Sequence, residues 1–191
     1  MFYFSALNIS ALMQKFDFEL LDFFHSPVHG GSGIFICGKK GRHSPNASVQ
    51  DTLEKERTAF KENKIFHDFK VKIESNKIKA MALIHEEKRQ GQVVGAYGAP
   101  AKAFTVFSYY ELDDSSIAFC IDTTPTKIGK VFPKFNIPIL SEEALNELEY
   151  NTVLINAWNY KEDILKKASL IFKKGTKLIF LIPDLEIHIV K

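Results

Sequence analysis

From Gly91 onward the chain alternates short apolar runs with helical stretches, and this alternation limits the fold more than any other feature. Residues 93–97 read as a strand, Gly98-Ala99-Pro100 as a turn and residues 101–110 as a helix. A second strand, 117–121, precedes a Pro-bearing loop over 122–139. A helix over 141–148 with Ser141 as N-cap leads to a strand at 151–155. A helix over 160–173, closed by Gly175, leads to a last strand at 177–182. Strands joined by crossover helices make a parallel sheet covered on both faces. The expected class is therefore α/β, a Rossmann-like three-layer sandwich with a mostly parallel sheet.

What comes before is organised differently. Ala6, Leu7, Ile9, Leu12 and Met13 lie at helical spacing after Ser5, a natural N-cap, so residues 5–15 are expected to be a helix. Strands over 18–24 and 34–37 flank the turn-rich His25-Ser26-Pro27-Val28-His29-Gly30-Gly31-Ser32-Gly33, forming a β-hairpin-like edge. No Pro or Gly occurs between Ser48 and Gln90, and the apolar spacing predicts a helix over 48–60 and a longer one over 65–89. The expected organisation is an N-terminal helix and strand segment (1–47), a helical connector (48–90) and a Rossmann-like domain (91–191).

With 191 residues, two complete catalytic domains do not fit, although one good-sized core does. A formal net charge of +2 gives no reason to expect nucleic acid or an anionic membrane as partner. No apolar run approaches the ~20 residues that span a bilayer. Cys37 and Cys120 sit in apolar, strand-like runs without metal-ligand spacing, so buried free thiols, no bound metal and a reducing cytoplasm are expected.

In a sheet of this kind ligands sit beyond the carboxyl ends of the strands. The first such end is Gly95-Ala96-Tyr97-Gly98-Ala99-Pro100-Ala101-Lys102. Amides of Gly98, Ala99 and Ala101 would lie where a strand opens into a helix, at the positive end of its dipole, a place that attracts phosphate. Lys102 adds a cation in the first turn, which is unfavourable for the helix unless an anion is present. The string lacks the third glycine of a dinucleotide fingerprint and the ending of a P-loop. It serves either anion binding or a plain strand–helix turn.

Later strand ends supply further candidates. Asp122 is placed to accept a sugar or ribose hydroxyl, or to cap its turn. Trp158 is placed to stack on a base or to pack at the sheet edge, and Asn159 to touch ligand or to cap the helix from Tyr160. His29 faces either a cleft or its own glycine-rich loop.

The string Gly95 to Lys102 resembles the Gly-Tyr-Gly-Ala-Pro-Ala-Lys signature in the C-terminal domain of S-adenosylmethionine-dependent sugar C-methyltransferases, the nucleotide-sugar C3-methyltransferase type. Further landmarks follow in order. Asp122-Thr123-Thr124-Pro125-Thr126-Lys127-Ile128-Gly129 is similar to Asp-x-x-Pro-x-Lys-x-Gly, and Ile137-Pro138-Ile139 to Ile-Pro-Ile. Ala157-Trp158-Asn159-Tyr160-Lys161-Glu162 is similar to Pro-Trp-Asn-x-x-Asp/Glu, and Val28-His29-Gly30-Gly31-Ser32 matches Val-His-Gly-Gly-Ser. Ala103-Phe104 departs from the usual Gly-Asn, and Lys134 from a glycine.

The resemblance implies a larger enzyme with a zinc-binding domain, a methyltransferase core holding S-adenosylmethionine, and this domain, with a nucleotide sugar between the last two. Its acid/base motif would stand just before Tyr3-Phe4-Ser5. The chain is therefore expected to contribute no catalytic residue and to bind no cofactor itself. Expected instead is a nucleotide-sugar wall made by Gly98, Ala99, Ala101, Lys102, Asp122, Trp158, Asn159 and His29. Such a domain is inactive alone or depends on a partner, a separate methyltransferase core chain; a homodimer is also expected to be possible. The alternative is a free-standing nucleotide-sugar or phospholigand-binding module.

Overall fold

The computed structural model describes residues 4–28, 31–61 and 63–191. Tyr3, and His29 with Gly30 in the glycine-rich turn, lie outside the described residues. Two compact units, Met1–Val71 and Lys72–Lys191, meet at a boundary inside one long helix.

In the first unit, α1 (Ala6–Gln14) starts at Ser5, whose hydroxyl accepts the Asn8 amide as an N-cap should. An antiparallel hairpin follows, β1 (Phe18–Ser26) paired with β2 (Ser32–Lys39), and then α2 (Ala47–Lys61). Ala6, Leu20, Val49 and Leu53 form a small core. The Glu56 carboxylate of α2 accepts the Ala6 and Leu7 amides at 3.0 and 2.9 Å, satisfying two of the donors that a helix start leaves open.

α3 (Lys64–Arg89) comes next and contains the boundary between the units. The second unit is the expected α/β sandwich. Its strands are β3 (Val94–Tyr97), β4 (Cys120–Ile121), β5 (Ile139–Leu140), β6 (Thr152–Ile155), β7 (Lys177–Phe180) and β8 (Glu186–Ile189). The sheet order is β5-β4-β3-β6-β7-β8, parallel except for the antiparallel edge strand β8.

Alternation along the strands divides the core. Val94, Ala96, Leu154 and Ile179 face Ala80 and Ile84 of α3 and Ala103 and Phe107 of α4 (Ala101–Tyr110). Val153, Ile155, Leu178 and Phe180 face Ile164 and Ala168 of α5 (Lys161–Ile171). Among the described residues no helix is long and apolar enough to cross a membrane.

The structure adds detail to the expected elements. The loop expected over 122–139 ends in the two-residue strand β5, the strand expected over 117–121 shortens to Cys120–Ile121, and the strand expected to be last is followed by β8 beyond Pro183 and Asp184. The segment expected as an α-helix at 141–148 is a 3-10 helix, Glu142–Asn146, in which only Leu145 is buried. One buried side chain per turn and a half holds less of an α-helix in place than a full apolar stripe does.

At the N-terminal ends of the central strands Glu87 is buried. It accepts a bond from the Thr152 hydroxyl at 2.7 Å and another from the Lys177 ammonium. Burial opposes its charge, but those bonds and the charge of Lys177 outweigh burial and hold the carboxyl below its usual range. Such a group stabilises the fold above its unfolded value of about 4.3, and the contribution is lost as pH falls through the lower folded value. Glu87→Gln should therefore be less stable at neutral pH and lose less on acidification. Urea midpoints measured from about pH 7 to about pH 3 check this.

Candidate functional site

Strand order places the site. β3 feeds β4 and β5 on one side, then the chain returns to β6 on the other, so β3 and β6 straddle the point where ligands of such sheets enter. A cavity of about 300 Å³ opens there, lined by Tyr97, Gly98 and Pro100 after β3, Asp122, Thr124 and Lys127 after β4, and Ala157 and Tyr160 after β6.

The turn into α4 depends on two glycines. A Cβ on Gly95 would stand 2.4 Å from the Phe119 ring, and Gly98 has φ +88°, a backbone that L residues rarely adopt. The Gly98 amide donates to the Ile121 carbonyl at 2.7 Å, while its own carbonyl accepts from the Asn156 side chain at 2.9 Å. Ala99 donates to Asp122 Oδ2 at 2.6 Å.

The amide cradle expected from the sequence is therefore distributed differently. Gly98 and Ala99 send their N–H groups inward, and Pro100 has none. Ala101 and Lys102, in the first turn of α4, keep amides that bond to no carbonyl or side chain among the described residues.

Asp122 takes the capping role. It is buried, and besides Ala99 it accepts the Thr124 amide at 2.8 Å and the Lys127 ammonium at 3.2 Å. Burial works to raise its pKa, but a bond from the Thr124 side chain, the two amides and Lys127 outweigh it and hold the carboxyl below the usual range. With these amides, Lys127 and the Thr124 side chain on it, its roughly four lone-pair directions are largely taken up within the protein.

Lys102, Trp158 and Asn159 come together although 56 residues or more separate the lysine from the other two in sequence. The Lys102 ammonium lies 4.1 Å from the Trp158 ring centroid and donates to the Asn159 side-chain oxygen. Among the described residues no carboxylate pairs with it. Partial burial pushes its pKa down, since nothing anionic offsets the lost water. Asn159 does not cap α5: it lies in the 3-10 turn Trp158–Tyr160, and the N-cap is Tyr160, without a side-chain bond. Phe104 packs against Phe135, ring centroids 5.1 Å apart.

Other residues at the cavity carried no separate signal in the sequence. Tyr97 donates its hydroxyl to Glu142 at 2.8 Å; burial first, then that carboxylate, raises the phenol well above its usual range. Tyr160 is exposed at the cavity wall. Among the described residues no group of three or more His, Cys, Asp or Glu could hold a metal ion, so the residues described here do not fit zinc.

Comparison with known proteins adds ancestry to this geometry. A family model described as the C-methyltransferase C-terminal domain matches residues 27–183. The C-methyltransferase NovU of Streptomyces niveus is 29% identical over 184 residues, covering 95% of this chain. The chain spans 44% of that relative's length.

Removing the carboxylate that ties the two strand ends together should be costly. Asp122→Ala leaves the Ala99 amide and Lys127 without their acceptor and should lower unfolding free energy by about 2–4 kcal/mol. Thr123→Ala, an exposed position on the cavity wall, should stay within about 0.5 kcal/mol. Urea denaturation of both variants tests the difference.

Proposed function

The chain belongs to the C-methyltransferase C-terminal domain family, and from that premise we propose that it forms the nucleotide-sugar-binding wall of a S-adenosylmethionine-dependent sugar C-methyltransferase. The observation that carries the reading is Lys102: among the described residues a cation without an acidic partner, in the first turn of α4, two residues after Pro100 on the wall of the cavity at the strand switch point. Helix dipole, unbonded first-turn amides and ammonium each favour a negative group. A diphosphate supplies it, and the cavity of about 300 Å³ at the strand ends is the place for the sugar ring.

In such an enzyme the methyl donor, held outside these residues, would supply a methyl group to the carbon beside a sugar ketone once that carbon has lost its proton, and would leave as the neutral thioether. This chain's part is to hold the sugar nucleotide in line for those steps. Its residues do not fit the methyl donor. The acid at the end of β4, Asp122, is largely occupied, and the Gly98 and Ala99 amides are bonded inward. We assign S-adenosylmethionine, zinc and the proton-transfer groups to a methyltransferase core outside these residues, acting with this domain in sugar biosynthesis in the cytoplasm. A separate core chain and a homodimer are both compatible partners.

Titration calorimetry with thymidine diphosphate glucose, uridine diphosphate glucose, S-adenosylmethionine and NADH tests the reading. At least one sugar nucleotide should bind and the other two compounds should not. Lys102→Ala should weaken that binding about 10- to 100-fold, as expected for losing a charge-assisted bond to phosphate. Binding of S-adenosylmethionine alone, or equal affinity in the variant, would contradict it.

A further inference from the structure

The way Lys102 is held carries one step more. Among the described residues its ammonium is held by neutral partners alone, the indole face of Trp158 and the side-chain oxygen of Asn159. An acid in either place would cancel the charge, whereas a ring and an amide orient it and leave it uncompensated. The turn that carries both residues is fastened to the strand end from which α4 starts. Asn156 donates its amide to Tyr97 and its side chain to Gly98, and Tyr160 donates to Ala157. The segment that carries the lysine and the turn that carries its two supports are therefore tied together by backbone and side-chain bonds.

We propose that Trp158 and Asn159 are positioning residues for Lys102, holding its ammonium against the indole until a phosphate of the ligand draws it off. The proposal rests on the assignment of Lys102 to a phosphate. A long, flexible lysine normally loses rotamer freedom on binding, and one already parked beside its destination loses less. Exchange runs toward the anion, because a cation on a ring face is held more weakly than in a charge-assisted bond to phosphate oxygen. One of three ammonium donors suffices for Asn159, so the others can turn to phosphate without releasing it.

Trp158 is the chain's only tryptophan, so its fluorescence reports the exchange directly. Inorganic pyrophosphate and the two sugar nucleotides are titrated into the protein, with calorimetry run in parallel. The expected result is a saturable change in emission that follows the binding heat and is absent in Lys102→Met. Asn159→Asp, which would pin the ammonium in an ion pair, should weaken binding about tenfold or more. Asn159→Ala should weaken it less, with thermal melting showing both variants folded. Binding heat without any emission change, or Asn159→Asp binding as tightly as the unaltered protein, would overturn the positioning role and leave the phosphate site standing. No heat and no emission change with any of the three compounds would overturn the phosphate assignment itself, and the positioning role with it.

Discussion

Asp122 ties together what the second unit needs to be a site at all. The carboxylate ends β4, reaches the Ala99 amide at the turn into α4, turns its own loop through Thr124 and takes the charge of Lys127. Without it, the strand end that launches α4 and the loop that lines the cavity would be joined through the β3–β4 ladder, two residue pairs long, and the Cys120 thiol on the Gly98 carbonyl. Short parallel strands supply few backbone bonds, so a buried, well-bonded carboxylate at their ends does a share of the work that longer strands would do.

That bond also decides where a ligand's negative charge can go. With Asp122 on the Ala99 amide, a second anion cannot approach the Gly98–Ala99 end of the turn without meeting a carboxylate, and like charges at that distance repel strongly. Farther along, among the described residues, the Ala101 and Lys102 amides bond to nothing and the lysine there pairs with no acid. Gly95, Gly98 and Ala99 thus shape and fasten the turn, and on the proposed function Ala101 and Lys102 are the residues that meet phosphate.

Much of this fold could be read from local pattern. The apolar runs and helical intervals after Gly91 located β3, β6, β7, α4 and α5, because each buries enough side chains for its period to show. β5 left no such trace: it is two residues long, and pairing with β4 defines it. β8 did carry a period-two signal in Glu186-Ile187-His188-Ile189, hidden behind the break at Pro183. For the site, strand ends pointed to Lys102, Asp122, Trp158 and Asn159, but not to what each does. Whether Asp122 caps a turn or receives a hydroxyl depends on which amides reach it. Asn159 bonds a lysine 57 positions away, a contact no local spacing encodes.

The account turns on the claim that phosphate meets the Ala101 and Lys102 amides and not those of Gly98 and Ala99. Backbone amide shifts of isotope-labelled protein, followed by NMR during titration with a sugar nucleotide that binds, measure this residue by residue. The largest changes should fall on Ala101 and Lys102, while Gly98 and Ala99, already bonded inward, barely move. Changes centred on Gly98 and Ala99, or on surfaces away from α4, would contradict it.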